Sequence, residues 1–198
     1  MKAIIFSVLN YLAGSIPWAL VIGKVFYNTD VRKYGSGNLG ATNAGRVLGK
    51  KVAYIVTVLD ALKGFIMFII LSQVDYKLAC LTIIFVAVGH CYPLFANFKG
   101  GKAVATSFGI VLAFSINSFK SFLLIFLLPV LIWFFISNTT EYVSLASLVS
   151  LFSSFIFSIF ISQNYISLSI LAIWLLVVYK HKENIQRLLS GTENKRNY

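Results

Sequence analysis

The sequence predicts an all-α, polytopic integral membrane protein of about seven transmembrane helices, with the N-terminus outside and the C-terminus in the cytoplasm. Three observations predict it. Of 198 residues, 59% are hydrophobic and 12% charged, and the mean hydropathy is +0.85, more apolar surface than one soluble core can enclose. The apolar residues fall in runs, several long enough at about 1.5 Å per residue to cross about 30 Å of hydrocarbon. Thirteen of the 17 Lys and Arg fall in segments of one parity, while Lys2, Lys77 and Lys120 lie on the other and Lys63 sits inside a run, which is the positive-inside pattern. No linker, low-complexity tract or internal repeat divides the chain, so one membrane domain over 1–198 is expected.

Residues 3–23 make the first span, carrying Asn10, Ser15 and a Pro17 whose freed carbonyl a packed neighbour must satisfy. No A-x-A site follows a short apolar core, so it is read as a span and not as a signal peptide. Residues 24–51 form a polar, six-cation loop that contains the string GSGNLGATNAGR. The second span, 52–71, carries Asp60 and Lys63, three apart and so on one helix face. Each would cost about 2.5–3.5 kcal/mol in lipid, so they should face protein, either as an ion pair registering helices or as support for polar chemistry above them.

Residues 72–77 turn outside, and 78–88 return the chain to the glycine-broken stretch GHCYPLFANFKGGKAVAT at 89–106. Residues 103–116 cross outward, Lys120 marks a turn, and 121–136 come back to a loop at 137–144. Residues 145–161 go out, Gln163 and Asn164 turn, and 166–179 return. The following KHKENIQRLLSG reads as a helix in which Glu183 and Arg187 stand at pairing distance, Gly191 is the stop, and Ile185, Leu188 and Leu189 face the interface.

Within KGGK, Gly100 and Gly101 are expected to let backbone N–H groups turn toward an anion between Lys99 and Lys102, although the four residues alone fit an ordinary turn equally well. Other motifs fail on context. Gly35, Gly37 and Gly40 spell a dinucleotide fingerprint, but no apolar strand precedes them. Gly101-Lys102 lacks the rest of a phosphate-loop pattern. The net charge of +11 comes without a basic soluble face interleaved with aromatics, which excludes nucleic acid as a partner. Cys80 and Cys91 read as small apolar residues, and two histidines without clustered acids give no metal site; no cofactor is expected.

Parity places Ser36, Asn38, Thr42, Asn43, Arg46, Lys99, Gly100, Gly101, Lys102, Ser144, His181 and Asn184 on one membrane face. Arg46 offers a planar fork for phosphate oxygens, Lys102 a compact charge, and His181 and Asn184 share a helix face. Such a cluster works by positioning anions and stabilising developing charge.

Together GSGNLGATNAGR, DALKG, GHCYPLFANFKGGKAVAT and KHKENIQRL resemble the bacterial acyl-phosphate:glycerol-3-phosphate acyltransferase family, in order and across the chain. The resemblance implies a seven-helix enzyme of the bacterial cytoplasmic membrane, its site on the cytoplasmic side. Such an enzyme moves a fatty acyl group from acyl phosphate to the 1-hydroxyl of glycerol 3-phosphate, releasing lysophosphatidic acid and inorganic phosphate. It implies catalytic roles for Ser36, Arg46, Lys102, His181 and Asn184. Substrate contacts are implied at Gly35, Gly37, Asn38, Gly40, Thr42, Asn43, Lys99, Gly100, Gly101 and Ser144, and structural support from Asp60, Lys63, His90 and Glu183. The partners it implies are the two substrates and the bilayer, with an association with the soluble enzyme that makes acyl phosphate as a further expectation. Leu39 and Met67 stand where many members have proline, and Asn97 where glycine is common.

Two anionic substrates require cations, for which Arg46, Lys102 and in part His181 are expected, with direct attack by the glycerol hydroxyl and the proton passing to a substrate phosphate. His90 is weighed as a base and as a hydrogen-bonding cap. Phe95, Phe98, Phe108 and Phe114 are candidates to line an acyl groove. The alternatives are a carrier or channel for an anionic phosphorylated metabolite, which needs cations reachable from both faces, and a non-catalytic scaffold.

Overall fold

The computed structural model describes residues 1–195; Arg196, counted above with the cations, lies outside them. Every regular element described is helical, and each predicted run appears as helix, though not as seven equal spans. The first run is α1 (Lys2–Gly14) and α2 (Trp18–Tyr27), broken where one helix was expected. Pro17 has no N–H and its ring crowds the preceding turn. The carbonyls freed there, Gly14 and Ile16, accept from the Lys63 ammonium at 3.1 and 3.3 Å, so the expected satisfying neighbour is a buried charge.

The expected loop after it is half helical. A 3-10 turn at Val31–Lys33 and α3 (Ala41–Leu48) precede Gly49, whose φ of 97° turns the chain into α4 (Lys50–Ser72). The next run is α5 (Tyr76–Thr82) and α6 (Ile84–Cys91), started by Asp75, whose carboxylate accepts the Leu78 N–H at 2.9 Å. Next, α7 (Val104–Ser115) has 12 residues, about 18 Å at 1.5 Å each, short of a hydrocarbon core. α8 (Phe119–Thr140) widens into a π-helical stretch at Phe122–Leu127, where Pro129 withdraws a donor from the ladder. α9 (Val143–Ile161), α10 (Asn164–Lys180) and α11 (Lys182–Leu189) follow, with α11 bent 64° from α10 at His181, a break inside the expected tail helix. Among the described residues five stretches are long and apolar enough to cross a membrane, six if α10 and α11 count as one broken span.

Small residues let these helices approach closely. A Cβ on Gly64 of α4 would meet the Thr106 carbonyl, and one on Gly109 of α7 would meet the Ala61 backbone. Short α7 is therefore held by α4 and not by its own length. On α9 the buried Ser144, Ser147, Ser150, Ser154 and Ser158 recur every three or four residues, and Ser147 and Ser158 satisfy their hydroxyls on carbonyls of their own helix at 2.7 and 2.6 Å. The main core gathers Phe68, Ile83, Ile110, Ile125 and Ile170, while Ile4, Val8, Ile55, Phe134 and Phe135 stay exposed on the outside, as a lipid-facing surface requires. A second apolar cluster, with Val31, Leu39, Ala44 and Val56, ties the 31–44 stretch to α4. Leu39, where proline was the family expectation, is an anchor of that cluster, 3% exposed.

Candidate functional site

The glycine-rich stretch before α3 is folded by its own side chains. Gly35 and Gly37 take φ of 60° and 68°, the left-handed region glycine enters without strain. Asn43 accepts the Ser36 N–H at 2.8 Å and donates to the Val31 and Tyr34 carbonyls at 3.0 and 3.2 Å. The amide is spent on the loop and 1% exposed, so Asn43 is a brace and not the substrate contact expected. Asn38 likewise accepts the Gly40 N–H at 2.9 Å. Arg32 is tied to Asp30 at 2.6 Å, and its hydrogen bond holds that carboxyl down to about 2 against a smaller opposing push from burial. Ser36 and Arg46 remain available, and with Gly35, Asn194 and Lys195 they line a cleft of about 340 Å³. Thr42, half-buried on α3, lies one turn ahead of Arg46 on the same face.

The second glycine stretch differs from expectation. The Gly101 N–H donates to the His90 carbonyl at 3.0 Å and is not turned toward an anion. The two glycines are there for space: a Cβ on Gly101 would run into Nε2 of His90, and one on Gly100 into the His90 carbonyl and the Pro93 ring. Asn97, in place of a glycine, adopts a φ of 54°, which asparagine tolerates better than most residues. Lys99 is exposed.

Beneath the loop lies the Asp60, Lys63 and His90 network. The Lys63 ammonium spends its three protons on Nδ1 of His90 (2.8 Å), Gly14 O and Ile16 O, while Asp60 Oδ1 approaches at 2.9 Å as its counter-ion. With Lys63 as the charged donor, Nδ1 accepts, which assigns the ring proton to Nε2, facing Gly101, and occupies the Nδ1 lone pair; the same nitrogen lies 3.4 Å from Asp60 Oδ1. Both roles weighed for Asp60 and Lys63 therefore coincide: one ion pair closes the α1–α2 break and props the loop through His90.

Lys102 donates from Nζ to Asn184 Oδ1. Burial pulls its pKa below the usual lysine value, with the Glu193 charge acting the other way. His181, 3% exposed at the α10–α11 joint, donates from Nδ1 to the Val177 carbonyl at 2.8 Å. Burial first, then the Lys102 charge, push its pKa down to about 4. The ring is thus neutral at pH 7, and the expectation that it adds positive charge is corrected. The folded state refuses a proton that the unfolded chain takes up near 6.5, so this contribution to stability is complete above that pH and falls away toward pH 4. Imidazole NMR of the unliganded protein at pH 6 should show His181 as the neutral Nδ1–H tautomer; a protonated ring there would overturn the assignment.

Glu183 is exposed and does not make the expected pair. Arg187 instead donates to Glu193 Oε2 at 2.8 Å, and Glu193 Oε1 accepts from Ser144 Oγ at 2.8 Å and Asn184 Nδ2 at 2.6 Å. Burial opposes the Glu193 charge, but those donors outweigh it and lower its pKa. The supporting acid is therefore Glu193, which sequence reasoning passed over. A signal existed: Gly191, at φ 71°, reverses the chain so that the Thr192 N–H reaches the Arg187 carbonyl at 2.8 Å, and an acid just beyond such a stop folds back onto its own helix.

Ser36 and Arg46 thus share one cleft, Glu193 holds Ser144 together with Asn184, the partner of Lys102, and residues 193–195 run from that group to the cleft. Of the phenylalanines weighed for a groove, Phe114 is buried in the core, edge-on to Phe68 at 4.8 Å. An apolar cleft of about 650 Å³ lies instead between α2 and α4, lined by Trp18, Ile22, Phe26, Val52, Ile55 and Leu59 among others.

A family model described as glycerol-3-phosphate acyltransferase matches residues 4–191. The chain is 45% identical to a glycerol-3-phosphate acyltransferase of Listeria welshimeri, over 98% of this chain and 97% of that one. It is 41% identical to another of Macrococcus caseolyticus, over 98% and 97%. Among solved structures, it resembles PlsY, an integral membrane glycerol 3-phosphate acyltransferase, in its glycerol 3-phosphate form, with a TM-score of 0.89 at 38% identity over 100% of this chain and 96% of that one. The lysophosphatidic acid form gives 0.87 at 37%, over 98% and 95%.

Proposed function

Because this chain belongs to the glycerol-3-phosphate acyltransferase family, we propose that it takes a fatty acyl group from acyl phosphate and places it on the 1-hydroxyl of glycerol 3-phosphate. The products are lysophosphatidic acid and inorganic phosphate, and the step is the first acylation of phospholipid synthesis. The observation that carries the reading is Arg46 beside Ser36 in a polar cleft whose other lining residues, Asn194 and Lys195, follow directly on the Glu193 that holds Asn184, the partner of Lys102; two phosphate-bearing reactants repel unless such cations stand between them.

The hydroxyl oxygen attacks the acyl carbonyl carbon, the bond from that carbon to the phosphate oxygen breaks, and the hydroxyl proton ends on a substrate phosphate. Since His181 is neutral, Arg46 and Lys102 supply the positive charge that steadies the departing phosphate. The apolar cleft between α2 and α4 takes the acyl chain. On the charge asymmetry, the site faces the cytoplasm, with the N-terminus outside and with α10 and the short α7, which α4 covers where it falls short of the hydrocarbon thickness, completing seven crossings of the bacterial inner membrane.

Detergent-purified protein supplied with palmitoyl phosphate and labelled glycerol 3-phosphate should form labelled lysophosphatidic acid, and no product would sink the reading. Arg46→Lys should lower kcat/KM by roughly tenfold or more, because an ammonium cannot reproduce a two-pronged phosphate contact. Unchanged kinetics would remove Arg46 from the site.

A further inference from the structure

We propose that the segment after α11 is a wall of the cleft, in which Glu193 is the positioning residue and Lys195 offers a further cation to the substrate phosphate that sits against Ser36 and Arg46. This rests on the function proposed above and extends it to residues outside the family motifs. Three observations meet here. Asn194 and Lys195 line the same cleft as Ser36 and Arg46, although about 150 residues separate the two stretches in a chain of 198. The segment is not laid loosely: the Glu193 side chain is 5% exposed and holds donors from α9 and α11 at 2.6 to 2.8 Å. The reversal at Gly191 aims the chain back across the site.

Charge supplies the reason for a lysine there. A phosphate monoester carries close to two negative charges at neutral pH. The residues that line this cleft include two cations, Arg46, which belongs to the family motif, and Lys195, while Lys102 stands beside Asn184 and serves the departing phosphate. Lys195 pairs with Glu141 at 2.9 Å, with both side chains more than half exposed. Water screens such a pair, and a phosphate dianion outcompetes one carboxylate for the ammonium. Glu193 cannot play Lys195's part, since its carboxylate would repel the ligand; its task is to fix where the wall stands.

The test measures glycerol 3-phosphate affinity by calorimetry on the full chain in detergent, and KM and kcat with palmitoyl phosphate at saturation. Lys195→Ala should weaken binding and raise KM for glycerol 3-phosphate about tenfold with kcat within about twofold, and Lys195→Arg should restore most of the loss. Glu141→Gln should leave KM unchanged or lower it, because the lysine is released to the ligand. Glu193→Gln should move KM in the same direction as Lys195→Ala. If that variant does not fold, the exposed Lys195 substitution still decides. Equal binding by wild type and Lys195→Ala would overturn the wall. So would a rise in KM for Glu141→Gln as large as that for Lys195→Ala, since the lysine would then act only by bracing α8. Tighter binding by wild type than by Lys195→Ala, with no acyl transfer by either, would leave the wall standing and remove the proposed reaction.

Discussion

Gly101→Ala is expected to lower kcat/KM about hundredfold, roughly 2.7 kcal/mol of transition-state stabilisation, in a protein that still purifies as a folded membrane protein. The added methyl has nowhere to go. It would overlap Nε2 of His90, and that ring cannot swing away because its Nδ1 is held by the Lys63 ammonium. Lys63 in turn is anchored to two carbonyls at the α1–α2 break and to Asp60. Something must yield, and the loop is the softest member, so Lys102, the next residue, moves off its place beside Asn184. A displacement near 1 Å at a positioned group is enough for a loss of about this size. Near-normal kinetics would show that the loop tolerates the methyl and that the buried network does not set its position.

Lys102→Met should cut kcat by roughly a hundred- to a thousandfold, the usual range for removing one preorganised donor from developing negative charge. Methionine keeps much of the apolar stem and removes only the charged end, so the loss is chemical more than steric. Glu193 still holds Asn184 through Nδ2, so the fold should stay intact. Burial already places Lys102 below the usual lysine pKa, and an arriving phosphate raises it again by stabilising the ammonium. The defect should therefore appear in kcat across the neutral range, with little change in melting temperature. A variant with full kcat and only a raised KM would place Lys102 in ground-state binding alone.

The helical class, the position of the apolar runs and the clustering of cations along the chain were legible in the sequence, because hydropathy and charge are summed along the chain and need no knowledge of neighbours; the breaks at Pro17 and His181 and the helix at Ala41–Leu48 were not. The pairing of Asp60 with Lys63 was legible too, and Arg46, Lys102, Ser144 and Asn184 could be named from the sequence as candidates for the site. What the sequence could not supply was how each polar group is spent. Asn43 looks like a ligand and is a brace, Gly101 looks like an anion donor and bonds to His90, and His181 looks half-charged and is neutral. Glu183 and Glu193 are both acids near a basic helix, yet only the second turns inward, since it lies beyond the reversal at Gly191. Hydrogen-bond partners and burial belong to pairs of residues brought together by folding, such as Ser144 with Glu193 or Lys63 with His90. One-dimensional composition thus set what this chain is made of and where it lies, and three-dimensional contact decided which of its polar atoms are left to meet a substrate.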